Sequence, residues 1–172
     1  MLLKRLNGME DRRADFAAFY AGARGDCLRA VTASLGSRQA AEEVVAEAFA
    51  RAWARWSQVA ELSSPQAWVV RTALNMHVSW WRRWRREVLT PDRHVQHGHH
   101  DAQTAMPDPR MMAALLSLPL RQRQVIALRV FLDLDSKTTA RTLGIAPGTV
   151  TAHLARGTRA LRAHLTTVTE TE

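Results

Sequence analysis

The sequence predicts an all-α protein made of two small helical domains joined by a flexible linker. Apolar residues recur every three or four positions through most of the chain, which is the period of a helix that buries one face. No segment alternates apolar and polar residues with β-branched enrichment, so no sheet is expected. The helical period disappears between Glu87 and Pro109, where proline and histidine replace core residues. We therefore expect domains at residues 12–87 and 109–166, with the linker at residues 88–108.

The composition favours a polyanionic partner. The 172 residues include 24 lysines and arginines against 16 acidic residues, which gives a net charge of +8. Such a surplus suits nucleic acid or an anionic membrane face, although an arginine-rich composition equally fits a high-GC genome. Cys27 has no second cysteine to pair with, and no segment reaches the roughly 18 apolar residues that span a bilayer. These features predict a cytoplasmic protein that is not inserted in a membrane.

Glycines and caps divide the first half of the chain into helices. The first helix begins near Asp15, and we expect Gly22 and Gly25 to break it into two pieces. Gly36 and Ser37 then supply a helix stop and the N-cap of the next helix. That second amphipathic helix carries its apolar positions at Ala41, Val44, Val45, Ala48, Ala52, Trp53 and Trp56.

Two later helices are expected to begin with a cap followed by proline. Proline suits the first helical position because its missing N–H would have no partner there. Ser64 and Pro65 therefore open a helix that runs to about Arg86. Asp108 and Pro109 open the first helix of the second domain in the same way.

The end of the chain carries a helix-turn-helix pattern. A short helix at residues 136–143 is followed by Gly144 as the turn, and Pro147 opens a helix to about Leu165. Its expected buried face is Val150, Leu154, Gly157, Leu161 and Leu165. Its opposite side presents the candidate DNA-binding residues Thr149, Thr151, Ala152, His153, Arg156 and Arg159. Small residues near the start of the helix suit contacts with bases, and the later arginines suit contacts with phosphates. The alternative is that the arginines only keep an exposed face of the helix in contact with water.

A second basic cluster, HVSWWRRWRRE, interleaves tryptophan with arginine. Arginines that grip phosphate beside aromatic rings that stack on unpaired bases are the chemistry of single-strand binding. The alternative is an amphipathic helix end whose tryptophans pack inward.

Taken together, these stretches resemble the extracytoplasmic-function sigma factors, the smallest members of the bacterial primary-type sigma family. AAEEVVAEAFARAW resembles their polymerase-docking helix, and SPQAWVVRTALNMHVSWWRR resembles the helix that melts and reads the minus-ten element. The stretch from LLSLPL to GTRALR, with its LGI-x-x-GTV turn, resembles their four-helix domain that reads the minus-thirty-five element. The TVTAHLARG form is similar to a branch common in actinobacteria.

The resemblance implies a function and residue roles. It implies a protein that binds core RNA polymerase and promoter DNA, directs promoter-specific initiation and is held by an anti-sigma factor. Carried over by position, polymerase binding falls to Glu42, Glu43, Glu47 and Arg51. Minus-ten DNA binding falls to Asn75, Trp80, Arg82 and Arg83.

Two other classes of protein are weighed beside the sigma factor. A stand-alone helix-turn-helix regulator would bind palindromic duplex DNA without polymerase. A metal-dependent hydrolase would need a site built from the histidine cluster at residues 94–101, but its ligand spacing is irregular. No nucleophile is paired with a base, so we expect no metal, no cofactor and no enzymatic activity.

Overall fold

The computed structural model describes the backbone of residues 2–87 and 108–169, and the side chains of residues 8–79 and 108–166. Within these ranges the chain forms α-helices and no strands. The helices are α1 (Leu2–Leu35), α2 (Arg38–Ala54), α3 (Trp56–Val59), α4 (Pro65–Glu87), α5 (Pro109–Leu116), α6 (Leu120–Phe131), α7 (Ser136–Leu143) and α8 (Pro147–Thr169). The all-α fold class is confirmed. Residues 88–107 of the expected linker, which include the histidine cluster, lie outside the described residues.

The predicted caps begin the helices. Ser37 Oγ and Ser64 Oγ each accept a hydrogen bond, at 3.3 Å, from the backbone N–H three residues later. Asp108 accepts a backbone N–H group in the first turn of α5, as predicted. Asp135, which the sequence did not single out as a cap, does the same in the first turn of α7. Each of these side chains satisfies an N–H that has no partner within its own helix.

The expected break of the first helix at Gly22 and Gly25 is wrong, because α1 is continuous over Leu2–Leu35. A glycine inside a helix costs about 1 kcal/mol relative to alanine. Burial of neighbouring residues offsets that cost, since Ala23 is 1% exposed and Cys27 is fully buried. Most helical stability in proteins comes from such packing, and here it overrides the local preference.

The second amphipathic stretch ends earlier than its pattern suggests. Its apolar residues are buried as predicted through Ala52, but α2 ends at Ala54. Arg55 leaves the helical conformation, with φ −121° and ψ 24°, and Trp56 then begins the short α3. The change of direction lets Trp56 Nε1 donate a hydrogen bond to Asp15 of α1 at 2.9 Å.

The helices form two groups that pack directly on each other. Helices α1, α2 and α4 pack mutually in the first group, and α8 packs on α5, α6 and α7 in the second. Between the groups, α1 lies along α6 and α4 contacts α7, so the buried residues form one continuous core. The sequence predicted two groups of helices but not this contact between them.

Two arginines connect the groups through the carbonyl ends of helices. Arg123 of α6 donates from Nε to Ser34 O at 2.9 Å and from Nη1 to Leu116 O at 3.2 Å. Arg71 of α4 donates from Nη1 to Arg141 O at 3.3 Å. The acceptors lie in the last turns of α1, α5 and α7, where carbonyls lack helical partners and the helix dipole favours a cation.

The turn between α1 and α2 also meets the second group. Gly36 ends α1 with φ +78°, a left-handed conformation that glycine adopts at little cost. A Cβ at this position would overlap the Leu116 side chain. The absence of a side chain therefore lets the end of α5 sit against the backbone of the turn.

Candidate nucleic-acid interface

The helix-turn-helix forms with the predicted bounds for its first helix and its turn. Gly144 caps α7 in the left-handed region, with φ +66°. Ile145 N–H donates to Ala140 O at 3.0 Å, which closes the turn by satisfying a carbonyl at the end of the helix. Helix α8 begins at Pro147 as expected and continues to Thr169, four residues beyond the predicted end.

Helix α8 is held against α6 by small and branched residues. Val150 is fully buried, and Gly157 is buried at the crossing with α6. A Cβ at Gly157 would lie 2.6 Å from Ile126 Cδ1, so glycine permits this close approach. The packing determines which side of α8 is turned to solvent.

The six candidate residues of α8 differ in exposure. Thr149, Thr151, Arg156 and Arg159 are exposed. Ala152 and His153 are partly buried, and His153 Nδ1 is a buried atom without a hydrogen-bond partner. The outward side of α8 thus presents two hydroxyls near its start and guanidinium groups one and two turns later.

A basic groove of about 510 Å³ lies between the end of α2 and one side of α4. It is lined by Arg51, Ala54, Arg55, Trp68, Arg71, Thr72 and Asn75. Three guanidinium groups, an indole ring and an amide therefore border one space, and among the residues that the structure describes no carboxylate lines it. Guanidinium groups bind phosphate, and aromatic rings stack on bases, so the groove suits a single nucleic-acid strand.

The minus-ten candidates lie along α4. Asn75 is exposed at the basic groove. Trp80, Arg82 and Arg83 belong to the last turns of α4, but their side chains lie outside the described residues. Only the backbone of α4 relates them to Asn75.

A second groove, of about 400 Å³, runs along the opposite side of Asn75, between α4 and the second group of helices. The α4 wall contributes Arg71, Leu74, Asn75, Val78 and Ser79. The facing wall contributes Leu120, Arg121, Gln124, Thr142 and Leu143 from α6 and α7. Asn75 and Arg71 thus border both grooves.

The outer face of α2 carries the four polymerase-binding candidates. Glu43 and Glu47 are exposed, and Arg51 Nε donates to Glu47 Oε1 at 2.8 Å. Glu42 is partly buried, where its Oε1 accepts from Arg38 Nε at 2.7 Å. Val44, Val45 and Ala48 fill the opposite, buried face, as the amphipathic pattern of apolar residues predicted.

Both groups of helices match known protein regions, in chain order. Residues 19–87 match sigma-70 region 2, and residues 109–161 match sigma-70 region 4. The RNA polymerase sigma-E factor of Streptomyces antibioticus is 33% identical over 132 residues, which cover 74% of this chain and 71% of that protein. The chain belongs to the sigma-70 family of RNA polymerase sigma factors. Within that family it is of the extracytoplasmic-function type.

Other relatives agree with this assignment. The sigma-E factor of Streptomyces coelicolor is 28% identical over 126 residues, which cover 73% of this sigma factor and 71% of that one. The sigma factor RpoE of Bartonella quintana, solved in complex with the anti-sigma factor NepR, shares the fold. Its structure superposes with a TM-score of 0.73 and 24% sequence identity, over 88% of this chain and 97% of that chain.

Family membership decides between the function classes. As a sigma factor the protein binds core RNA polymerase and promoter DNA and directs transcription initiation, and it is not an enzyme. A stand-alone helix-turn-helix regulator is not favoured, because regions 2 and 4 are both present. Within the described ranges, none of the helices of this sigma factor is long and apolar enough to cross a membrane.

Five residues that line the basic groove were not predicted from the sequence: Ala54, Arg55, Trp68, Arg71 and Thr72. Trp68, Arg71 and Thr72 precede Asn75 by seven, four and three positions, so they share one face of a helix. That spacing is a signal that could have found them. Arg55 could not have been found in this way, because its position depends on where α2 ends.

The remaining candidate chemistry of the sigma factor is weak. Among the residues that the structure describes, no cluster of His, Cys, Asp or Glu could hold a metal ion. Burial raises the pKa of the Cys27 thiol to about 12, with a smaller contribution from the charge of Asp26. A thiol with such a pKa is protonated at neutral pH and unreactive.

Proposed function

We propose that three faces of this sigma factor divide the work of initiation among them. The observation that supports the division is that the candidate residues of α2, α4 and α8 lie on separate faces of three different helices. On this proposal region 2 comprises residues 12–87, a linker comprises residues 88–108, and region 4 comprises residues 109–166. The protein would act in the cytoplasm, at the nucleoid.

Helix α8 would bind the minus-thirty-five element as duplex. Its exposed start carries Thr149 and Thr151, whose short side chains let the helix approach base edges in the major groove. Arg156 and Arg159 lie one and two turns further along the helix, where they would contact the phosphate backbone. Ala152 would contribute apolar contact, whereas His153 has less freedom to reach a base because its Nδ1 is buried.

Helix α4 and the basic groove would bind the opened nontemplate strand of the minus-ten element. Asn75 can donate and accept hydrogen bonds with an unpaired base, and Trp68 offers a ring for stacking. Arg55 and Arg71 would neutralise phosphates along the same groove. Trp80, Arg82 and Arg83, carried over by family position, would extend this contact toward the end of α4.

Helix α2 would dock on core polymerase through Glu43 and Glu47, with Glu42 beside them. These carboxylates form an exposed acidic edge on a protein of net charge +8, which suits a basic partner surface. Arg51 pairs with Glu47 and also lines the basic groove, so it would join the polymerase face to the strand-binding face.

The division of labour is tested by exchanging charges on one face at a time. Arg156→Ala should weaken promoter duplex binding by the holoenzyme about uniformly across sequences, reduce the salt slope of that binding by about 1, and leave association with core polymerase unchanged. Charge reversal in Glu43→Lys/Glu47→Lys should do the opposite. Binding to core, binding to minus-thirty-five duplex and run-off transcription are measured for each variant.

Matched controls change the same charges elsewhere on the surface. Arg13→Ala removes an exposed arginine of α1, and Glu10→Lys/Glu61→Lys reverses two exposed carboxylates away from the α2 face. Equal effects of the test and control variants in every assay would refute the division. Binding of a palindromic duplex without core, with no initiation at any promoter, would favour the stand-alone regulator.

The strand-binding groove has its own test. Arg55→Ala should reduce binding of a single-stranded minus-ten oligonucleotide by the holoenzyme several-fold, with Arg13→Ala as the control. Unchanged strand binding would remove the groove from the proposal.

An anti-sigma factor is a further partner that we propose. The family resemblance implies such a partner, and the Bartonella quintana protein that shares this fold was solved with one. A candidate inhibitor from the same organism should abolish run-off transcription when it is added before core polymerase. If no candidate inhibitor reduces run-off transcription, that result would contradict the proposal of an anti-sigma partner.

A further inference from the structure

The hydroxyl group of Thr151, near the start of α8, is already engaged within its own helix. Thr151 Oγ1 donates a hydrogen bond to Pro147 O, one turn earlier, at 3.4 Å. Threonine in a helix often forms this bond to the carbonyl four residues before it. A hydroxyl has a single proton, so Thr151 in this conformation has no donor left for a base. The side chain is exposed, and it offers its methyl group and the lone pairs of its oxygen.

Thr151 lies at one end of an apolar hollow on α8. The hollow measures about 450 Å³ and is lined by Thr151, Leu154, Ala155, Thr158, Arg159 and Arg162. Methyl groups of Thr151, Leu154 and Ala155 border the end nearer the start of the helix, and the two guanidinium groups border the other end. Among the residues that the structure describes, no carboxylate lines the hollow. Such a space suits an apolar group that is attached to an anionic partner.

The glycine one turn before Thr151 leaves room for close approach. Gly148 is exposed, and a Cβ at this position would meet no described atom within 4 Å. Packing inside the protein therefore does not require a glycine here. Residues three apart share one face of a helix, so Gly148 and Thr151 face the same partner. Carbon atoms attract each other only at about 3.5–4.0 Å, and a missing side chain lets the partner come that near.

The four bases differ in what they present in the major groove. Guanine presents two acceptors, adenine an acceptor and an amino group, and cytosine an amino group. Thymine presents an acceptor and a 5-methyl group, which the methyl groups of threonine and alanine can contact. A side chain without a free donor cannot bond the acceptors of guanine or thymine. The apolar neighbours of Thr151 therefore favour contact with the thymine methyl group.

We propose that Thr151 is a specificity-determining residue that reads a thymine of the minus-thirty-five element through its methyl group. Leu154 and Ala155 complete the hollow that receives the thymine methyl, and Arg159 and Arg162 bind the phosphates beside it. This inference rests on the proposed assignment of α8 to the minus-thirty-five duplex. It adds the identity of one base and the chemical group by which that base is recognised.

Two substitutions separate the methyl group of Thr151 from its hydroxyl group. Thr151→Val removes the hydroxyl and keeps a methyl group, whereas Thr151→Ser keeps the hydroxyl and removes the methyl group. Serine, threonine and valine have similar helix propensities, so both variants should fold like wild type, which urea unfolding checks. Thr166 supplies the matched control, because it is exposed on the same helix and its Oγ1 donates to Arg162 O, again four residues earlier. It lies about four turns beyond Thr151, whereas base contacts come from the first turns of the helix.

The DNA is changed by one methyl group at a time. Wild-type holoenzyme first selects its preferred element from promoter duplexes that are randomised across the minus-thirty-five element. Each thymine of the selected element, on either strand, is then exchanged for deoxyuridine, which lacks only the 5-methyl group. At one position or more the exchange should lower the affinity of wild-type holoenzyme about fourfold, the value of one buried methyl group.

Combining both changes assigns the contact to Thr151. Holoenzyme with Thr151→Ser should bind the thymine duplex about fourfold more weakly than wild type, and uracil at the contacted position should cost it nothing further. Thr151→Val should keep wild-type affinity and the full effect of uracil. Thr166→Ser and Thr166→Val should also behave like wild type with both duplexes.

Three results would overturn the proposal. Uracil that is tolerated at every position would show that no thymine methyl group is read. A full uracil effect in Thr151→Ser would assign the reading to another residue. A loss of affinity in Thr151→Val as large as that in Thr151→Ser would show that the hydroxyl group makes the contact. Failure of the proposed function is distinguishable, because no element would then be selected and Arg156→Ala would leave duplex binding unchanged.

Discussion

The crossing of α8 over α6 offers a quantitative test of how region 4 holds α8 in place. Gly157→Ala adds a Cβ that would lie 2.6 Å from Ile126 Cδ1, while Gln122 Cβ at 3.4 Å and Ile126 Cγ1 at 3.5 Å stay in ordinary contact. Alanine is better than glycine inside a helix by about 1 kcal/mol. Overpacking a buried contact costs about 1–3 kcal/mol. We expect Gly157→Ala to destabilise region 4 by about 1 kcal/mol.

A second substitution identifies the colliding atom. Ile126→Val removes Cδ1 and should cost about 0.5–1.5 kcal/mol alone, because Ile126 is 6% exposed. In the double variant the collision is gone and the new methyl group fills part of the vacated space. The double-mutant cycle should therefore give a favourable coupling of about 1–2 kcal/mol, with stability near that of wild type.

Urea unfolding followed by circular dichroism measures this cycle. All six tryptophans precede residue 85, so their fluorescence reports on region 2. Because the buried residues of both groups form one core, the fluorescence transition should shift together with the dichroism transition. Additive effects of the two substitutions, with no coupling, would show that the Gly157 contact does not limit the approach of α8 to α6.

Three further outcomes follow from single side chains. Leu128 is fully buried in region 4, so Leu128→Ala should cost about 2–5 kcal/mol in urea unfolding, and a loss below 1 kcal/mol would contradict its place in the core. Hydrogen bonds from Thr138 N–H and Oγ1 hold the pKa of Asp135 below its usual value of 3.8, so the cap of α7 should contribute fully above pH 3.8 and fade as the pH falls further. Asp135→Asn, which caps without titrating, should lack that loss, and identical acid titrations of unfolding for both proteins would refute this account. Cys27 should react with a thiol reagent at pH 8 only as fast as region 2 unfolds, and rapid labelling of the folded protein would contradict its burial and its pKa of about 12.

Helix starts and the helix-turn-helix could be predicted because their signals are local. Ser37, Ser64 and Asp108 each cap a helix through an N–H only two or three residues away. Gly144 takes the left-handed conformation that ends α7, a property of glycine itself. Residue spacing supplied the candidate face of α8, and family resemblance supplied the candidate faces of α2 and α4. Their roles stay predictions until the charge variants are measured.

The features that escaped the sequence depend on residues far apart in the chain. The glycines at positions 22 and 25 weaken a helix locally, but burial of residues on either side keeps α1 continuous. Arg123 and Ser34 are 89 positions apart, and Arg71 and Arg141 are 70 apart. An arginine that bonds a distant backbone carbonyl leaves no pattern in the sequence, because every residue carries that acceptor.

Ionic strength should act very differently on the two kinds of arginine in this protein. The arginines of α8 would bind phosphates by displacing counterions, so their contribution falls steeply as salt rises. Arg123 is held by uncharged carbonyl oxygens within a partly buried interface, where salt screens little. Raising the salt concentration therefore weakens the promoter contact while leaving the internal contact between regions almost untouched. A salt titration therefore distinguishes the promoter contact from the internal contact. The affinity of the protein for DNA should fall steeply as salt rises, whereas its compact shape should persist.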